Sequence, residues 1–172
     1  FVDVLYIRCD WRDVQSRPGR LDLHPVWALT RDAARRRGRR VAFRVQLSNP
    51  EIQPATLALP DFLQAKVPLV TIRRPVPGSP DRVEPRYDHP EFQRAFRELN
   101  ELLAAELDGD PLVEFADLMM YGFWGEGHTS DYPSPSPSPS PSPDPALAER
   151  AFVDMTERQI EAWRRVPLAV NT

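Results

Sequence analysis

Hydrophobic and polar positions along the chain follow two patterns, one typical of buried strands and one typical of amphipathic helices. Four short, mostly apolar runs are predicted to be strands: residues 1–9, 40–47, 112–121 and 166–170. Three segments with apolar residues at helical spacing are predicted to be helices: residues 25–37, 88–107 and 145–165. Strands that alternate with helices in this way predict a parallel sheet with right-handed crossover connections.

Two proline-rich segments interrupt this alternation. Residues 48–87 show little periodicity, with a helical turn predicted at 61–64 and a short extended piece at 68–73. A connection of this length is usually functional or wraps a site. Residues 133–143 alternate strictly between proline and serine and hold six of the 20 prolines. We expect this low-complexity tract to be an extended surface loop within a single domain spanning 1–172.

Two α/β architectures fit the element order, a doubly wound sheet and a (β/α)8 TIM-type barrel. A nucleotide-binding doubly wound sheet carries a glycine-rich phosphate turn after its first strand, and here that place holds residues 10–13 (DWRD). The barrel is therefore favoured. Four strands are about half of the eight that such a barrel needs, so we expect this chain to hold only part of one.

Composition narrows the range of partners and cofactors. The chain has 172 residues, 27% of them charged, and a net charge of -3, with Lys66 as the only lysine among its basic residues. This balance calls for neither nucleic acid nor an anionic membrane, and no run approaches the roughly 20 apolar residues of a membrane helix. Cys9 is the only cysteine, which excludes an internal disulfide and a cysteine-based zinc site. Composition leaves the localisation and the oligomeric state undetermined.

Reactive groups of a barrel lie where its strands end. Three predicted strands end in residues that can carry chemistry: Asp10 with Trp11, Arg44 with Gln46, and residues 124–128. In the last group Glu126 stands between two glycines, with Trp124 two residues before it and His128 two residues after it. Such a carboxyl group can protonate a sugar oxygen while an indole packs on the sugar ring. A loop glutamate bonded to backbone amides or to an arginine has the same local sequence.

Two stretches of the chain resemble clan A glycoside hydrolases. The early one is similar to the strand, acidic turn and arginine-bearing strand of that clan, and comprises residues 6–15 (YIRCDWRDVQ), 18–22 (PGRLD) and 41–45 (VAFRV). The later one is similar to the fourth-strand region of family-42-like β-galactosidases and comprises residues 87–92 (YDHPEF), 108–111 (DGDP) and 121–129 (YGFWGEGHT). Together the likeness covers nearly the whole chain outside the proline-serine tract.

The resemblance implies an O-glycosidase with a carbohydrate substrate and no cofactor. It makes Glu126 the acid/base carboxylate at the end of the fourth barrel strand and places Arg44 near the site. Gly125 departs from the clan, which usually has asparagine at this position to bind the sugar 2-hydroxyl group. The nucleophilic carboxylate of the clan comes from a later strand, so we expect this chain alone to be inactive.

Each substrate-binding candidate also has a structural interpretation. Trp11 and Trp124 can be sugar platforms or can pack in the core or at the barrel rim. Arg44 can contact substrate or pair with a carboxylate such as Asp10. His128 and Glu126 lack a third ligand at a recognisable spacing, so no metal site is predicted.

Two other functions remain open on the sequence. A non-catalytic carbohydrate-binding module derived from a hydrolase would use the same tryptophans and His128, with Gly125 marking lost chemistry. A barrel enzyme of another class, such as a metal-dependent hydrolase, is the third interpretation.

Overall fold

The computed structural model describes residues 3–49, 58–72, 82–127 and 145–170. Its strands are β1 (Val4–Asp10), β2 (Arg40–Gln46), β3 (Leu69–Ile72), β4 (Arg82–Pro85), β5 (Val113–Asp117) and β6 (Leu168–Ala169). Its helices are α1 (Pro25–Arg36), α2 (Asp61–Gln64), α3 (Pro90–Leu107) and α4 (Pro145–Ala162). Short 3-10 helices cover Trp11–Asp13 and Phe123–Gly125.

The main sheet has four strands in the order β1-β2-β5-β6, and every neighbouring pair is parallel. Helices stand between consecutive strands of this sheet along the chain, which confirms the predicted alternation. The register pairs Arg8 with Arg44 and Asp10 with Gln46, so the charged and polar residues of β1 and β2 lie side by side. A shift of register between β2 and β5 begins after Val41.

The hydrophobic core lies between this sheet and the helices. Phe43 on β2 packs against Trp27 of α1, with ring centroids 5.0 Å apart, and against Trp163, which follows α4, at 5.7 Å. Aromatic rings of α1 and of the segment after α4 therefore meet over Phe43 of β2, an inner strand of the sheet. Cys9 is buried on the same face of the sheet, and burial raises the pKa of its thiol to about 12. The thiol is thus a small apolar group, as its place on a buried strand predicts.

Helices α1 and α3 begin in the same way. Pro25 and Pro90 occupy the first helical position, where a missing N–H is tolerated. The Nδ1 atoms of His24 and His89 accept hydrogen bonds from the backbone two residues further on, at 3.2 and 3.3 Å. The N-cap of α3 is His89, and the carboxylate of the preceding Asp88 forms a bidentate ion pair with Arg86.

Strand β5 is shorter than the apolar run that predicted it. It ends at Asp117, although Leu118, Met119 and Met120 remain buried. There the side chain of Gln159 in α4 makes the backbone hydrogen bonds that a neighbouring strand would make. It accepts from the N–H of Met119 at 2.7 Å and donates to the carbonyl of Met119 at 3.1 Å. A run of buried apolar residues thus continues past the strand into a loop that packs on a helix.

The proline-rich connection contains one more pair of strands. β3 confirms the predicted extended piece, and it pairs antiparallel with β4, which the sequence did not predict. The helical turn predicted at 61–64 is α2. The proline-serine tract at 133–143 lies outside the described residues. None of the described helices is both long enough and apolar enough to cross a membrane.

Candidate functional site

Parallel pairing brings the C-terminal ends of β1, β2 and β5 to one edge of the sheet. Asp10 closes β1, Gln46 closes β2 and Asp117 closes β5, and all three side chains are buried. Their polar groups therefore gather at the edge where enzymes of the (β/α) barrel type carry their sites.

Arg44 is the centre of the charged group at this edge. Its side chain is only 1% exposed, and it contacts two carboxylates. Nη2 donates to Asp117 Oδ2 at 2.9 Å, and Nη1 lies 3.3 Å from Glu126 Oε1. Nη1 also donates to the backbone carbonyl of Trp124 at 3.2 Å. A buried guanidinium requires such partners, so one arginine joins the end of β5 to the loop that carries Glu126.

Asp117 is a site residue that the sequence did not single out. Besides Arg44 it accepts a hydrogen bond from the hydroxyl of Tyr6 on β1. Burial and this hydrogen bond together raise the pKa of Tyr6. The predicted strand ran on to residue 121, so Asp117 stood in its middle rather than at its end. The available signal was a charge within a mostly apolar run, of the kind that pointed to Arg44, and it marks Glu114 in the same run as well.

Glu126 stands in a tight loop, residues 118–127, which we call the Glu126 loop. Three glycines in it adopt positive φ angles, 84° at Gly122, 68° at Gly125 and 76° at Gly127. Trp124 also has a positive φ, 57°, which costs a non-glycine residue about 1–3 kcal/mol. The loop folds back so that the Glu126 side chain is 29% exposed next to Arg44. Its carboxylate is thus anchored on one side and reaches solvent on the other.

The departure from the clan pattern at Gly125 has a local structural reason. A Cβ atom at this position would lie 3.3 Å from the carbonyl oxygen of Met120, and the positive φ disfavours any side chain there. Gly125 N–H donates to Gly122 O, and Gly125 O accepts from Met120 N–H at 3.3 Å. An asparagine would strain this loop conformation, so the observed shape of the loop requires glycine at this position.

Trp11 lies in the core and not at the open edge. Its side chain is fully buried, and its indole N–H donates to Gln15 Oε1 at 2.7 Å. The ring packs edge-on against Phe92 and Phe96 of α3, with centroids 5.8 and 6.4 Å away. With no exposed ring surface, Trp11 cannot serve as a sugar platform in this conformation, and packing is the role that its position supports.

Trp124 keeps part of its surface accessible. It is half-buried, and its ring packs edge-on against Phe123 at 6.2 Å. Its backbone is held on both sides, because its N–H donates to Ser48 O at 3.1 Å and its carbonyl accepts from Arg44. The indole therefore lies two residues from Glu126 on a backbone that Ser48 and Arg44 hold in place.

Asp10 does not pair with Arg44, contrary to the pairing that the sequence suggested. Its carboxylate accepts hydrogen bonds from Asn49 Nδ2, at 3.1 and 3.4 Å to its two oxygens. Burial raises the pKa of Asp10, and the hydrogen bond from Asn49 offsets part of that effect. Gln46 lies beside Asp10 in the strand register, and its buried Nε2 finds no hydrogen-bond partner among the described residues.

His128 lies outside the described residues, so its predicted contact with substrate stays a prediction. Within the described ranges, no group of three or more His, Cys, Asp and Glu side chains is arranged to hold a metal ion.

Solved structures of one glycosidase share this architecture. Endo-glycoceramidase II from Rhodococcus sp., in a complex with a cellobiose-like imidazole, is 16% identical and matches 98% of this chain and 40% of its own, with a TM-score of 0.50. The chain folds as a segment of a (β/α) TIM-type barrel. The same enzyme as a lactosyl-enzyme intermediate is 15% identical, with a TM-score of 0.50. Its complex with a cellobiose-like isofagomine is also 15% identical, with a TM-score of 0.51.

This likeness extends over 98% of the chain, which spans about 40% of the length of the matching structures. Identity of this order shows the fold and no more. No protein-family model matches the chain, and none of the curated proteins matches it by sequence.

Proposed function

We propose that this chain is part of a glycoside hydrolase that cleaves O-glycosidic bonds with Glu126 as its acid/base residue. The observation that carries the proposal is the partly exposed Glu126 carboxylate, held by the buried Arg44 at the C-terminal edge of a glycosidase-type sheet. In this role Glu126 protonates the leaving glycosidic oxygen and then takes a proton from the attacking water.

The neighbouring residues have supporting roles in this proposal. Arg44 orients the Glu126 carboxylate, and Asp117 with Tyr6 holds the guanidinium in place. Asp117 is buried and occupied by these two partners, so it is unsuited to attack a sugar from the opposite face. The nucleophile then comes from a barrel strand outside this segment. In this proposal the half-buried Trp124, two residues before Glu126, and His128, two residues after it, contact the sugar.

The resemblance at 121–129 extends the proposal to the substrate. Family-42-like enzymes act on β-galactosides, and the matching endo-glycoceramidase was captured as a lactosyl-enzyme intermediate. We therefore propose β-linked galactosides and glucosides as the substrates to test first. A panel of 4-nitrophenyl α- and β-glycosides tests this choice, and turnover of α-glycosides alone would contradict it.

Glu126→Gln in the full-length protein tests the acid/base role. We expect kcat/KM on alkyl glycosides, which are poor leaving groups, to fall by about 10²–10⁴-fold, because general acid catalysis contributes that much. The loss on 2,4-dinitrophenyl glycosides should be much smaller, since their leaving group needs no proton. Glu157→Gln makes the same chemical change at an exposed position of α4 and should leave both rates unchanged. Wild-type turnover of alkyl glycosides by Glu126→Gln would refute the assignment.

A non-catalytic carbohydrate-binding module is the second candidate. Gly125 favours it, because this position lacks the amide that the clan uses on the sugar 2-hydroxyl group. It predicts saturable binding of a sugar by the wild-type protein with no release of product. Calorimetric titration with lactose and cellobiose, followed by chromatography of the mixture, separates the two functions.

A further inference from the structure

A buried hydrogen-bond network lies directly beneath the Glu126 loop. It consists of Ser48, Glu84 and Tyr87, which we call the Glu84 network, and all three side chains are buried. Ser48 follows β2, Glu84 is in β4 and Tyr87 follows β4, so the antiparallel hairpin within the proline-rich connection supplies the central carboxylate.

Glu84 is the acceptor at the centre of the network. Ser48 Oγ donates to one of its carboxyl oxygens, and the Tyr87 hydroxyl donates to the other. A carboxylate has no proton to give, so it accepts from both hydroxyl groups at once. The single proton of Tyr87 is then committed to Glu84, and its oxygen is left as an acceptor.

That oxygen accepts a hydrogen bond from the Glu126 loop. Gly122 N–H donates to the Tyr87 hydroxyl oxygen at 3.2 Å. The second attachment is through Ser48, whose backbone carbonyl accepts from Trp124 N–H at 3.1 Å. Two amides of the loop, two and four residues before Glu126, are therefore bound to residues whose side chains Glu84 holds.

The conformation of the loop requires such support. Gly122 and Trp124 both have positive φ angles, and Trp124 is the only non-glycine residue of the described structure with one. A residue in this region keeps its conformation only where its surroundings determine it from several sides. The Trp124 peptide meets that condition, because Ser48 holds its N–H and Arg44 holds its carbonyl.

We propose that Glu84 is a positioning residue for Glu126, acting through Ser48 and Tyr87 on the backbone of Gly122 and Trp124. The effect on catalysis rests on the proposed function, whereas the anchoring of the loop does not. Glu84 itself lies under the loop and touches no substrate in this arrangement.

Amide hydrogen exchange tests the anchoring without any substrate. Tyr87→Phe removes the hydroxyl that links Glu84 to Gly122, so Gly122 N–H should exchange about fivefold to tenfold faster in NMR measurements. Tyr121→Phe is the matched control, since Tyr121 is in the same loop and its hydroxyl makes no hydrogen bond within the described structure. Unchanged exchange at Gly122, or equal acceleration at Phe43 in β2, would overturn the anchoring.

Kinetics of the Glu84 variants test the positioning. Glu84→Ala in the full-length protein should lower kcat on the best 4-nitrophenyl glycoside by about tenfold to hundredfold. Its KM should change by less than about twofold, because the contact with the sugar ring is unaltered. Glu84→Gln keeps one acceptor oxygen and the shape of the side chain, and should recover part of kcat. Ser48→Ala, which removes one hydroxyl but keeps the backbone carbonyl, should have a smaller effect than Glu84→Ala.

The outcomes separate this inference from the proposed function. Full activity of Glu126→Gln refutes the hydrolase mechanism, and the exchange data still decide whether Glu84 anchors the loop. A large loss in Glu126→Gln together with wild-type kcat in Glu84→Ala and Tyr87→Phe overturns the positioning role. An equal loss in Glu84→Gln and Glu84→Ala, with KM and kcat changing together, also overturns it.

Discussion

The two faces of the four-stranded sheet differ in the interactions that stabilise their buried side chains. Successive residues of a strand point to opposite faces, and the register carries that alternation from strand to strand. The face that packs on the helices is apolar: Ile7, Cys9, Val41, Phe43, Val45 and Ala116. The other face carries polar or charged groups, of which Asp10, Arg44, Gln46 and Asp117 are buried and Tyr6 and Arg8 are exposed.

The comparison shows that similar burial can rest on different physics. On the helix side the side chains are stabilised by burial of apolar surface, which is not directional. Another apolar neighbour of suitable shape can therefore provide the same contact. On the other side the buried charged groups are held by specific partners, as Arg44 is by Asp117 and Glu126. Loss of one partner there leaves a charge without compensation, and so the polar face tolerates fewer substitutions.

The largest loss of stability is expected from removing a large side chain of the apolar face. Phe43→Ala should lower the free energy of unfolding by about 4 kcal/mol, because it leaves a cavity between Trp27 and Trp163. Leu29→Ala, on α1 but 68% exposed, should cost less than about 0.5 kcal/mol. Denaturant unfolding measures both. Equal costs at the two positions would mean that Phe43 is not part of a packed core.

The second largest loss of stability is expected from removing a charged group of the polar face. Arg44→Met keeps the length of the side chain but removes the charge, and should cost about 3 kcal/mol because Asp117 stays buried without its partner. Adding Asp117→Asn should restore a large part of that loss. Arg40→Met, at the exposed start of the same strand, should cost less than about 1 kcal/mol. A double variant as unstable as Arg44→Met alone would contradict this account.

The smallest effect is expected in the pH dependence of the free energy of unfolding, through Asp10 on the polar face. Burial raises the pKa of Asp10 above its ordinary value of 3.8. This carboxyl group therefore binds a proton more tightly in the folded protein than in the unfolded one. Stability from this group is therefore fully present below that value and is lost as the pH rises through the folded pKa. Asp10→Asn should be more stable than wild type at neutral pH, and the difference should close as the pH falls below 3.8.

Urea unfolding at a series of pH values measures this difference. Asp154→Asn, an exposed change of the same kind on α4, should show no such trend. A difference that widens towards acid would mean that the Asp10 carboxylate is stabilised in the fold.

Several features of the fold were predictable because they depend on neighbours in sequence. Apolar runs located all four strands of the main sheet, and helical spacing located α1, α3 and α4. The ends of the strands did not follow from neighbours in sequence. The run at 112–121 continues past β5 because Met119 is buried against Gln159, and burial alone does not distinguish a strand from a loop.

The candidate site was predictable only in part. A carboxylate between glycines after a strand pointed to Glu126, and a charge in an apolar strand pointed to Arg44. Asp117 and Glu84 were missed, since their roles come from partners 73 and 36 residues away along the chain. Trp11 was a platform candidate because it follows a strand, yet it faces α3 and not the open edge.

The sequence by itself determined the alternation of strands and helices, because hydrophobic periodicity and turn residues act over a few positions. Only the tertiary structure decided which charges share a partner. Pairing of parallel strands joins Arg44 to Asp117, and the fold-back of a glycine-rich loop adds Glu126. The hairpin then places Glu84 beneath that loop. These contacts depend on strand register and loop path, which arise from packing the whole chain rather than from any one segment of it.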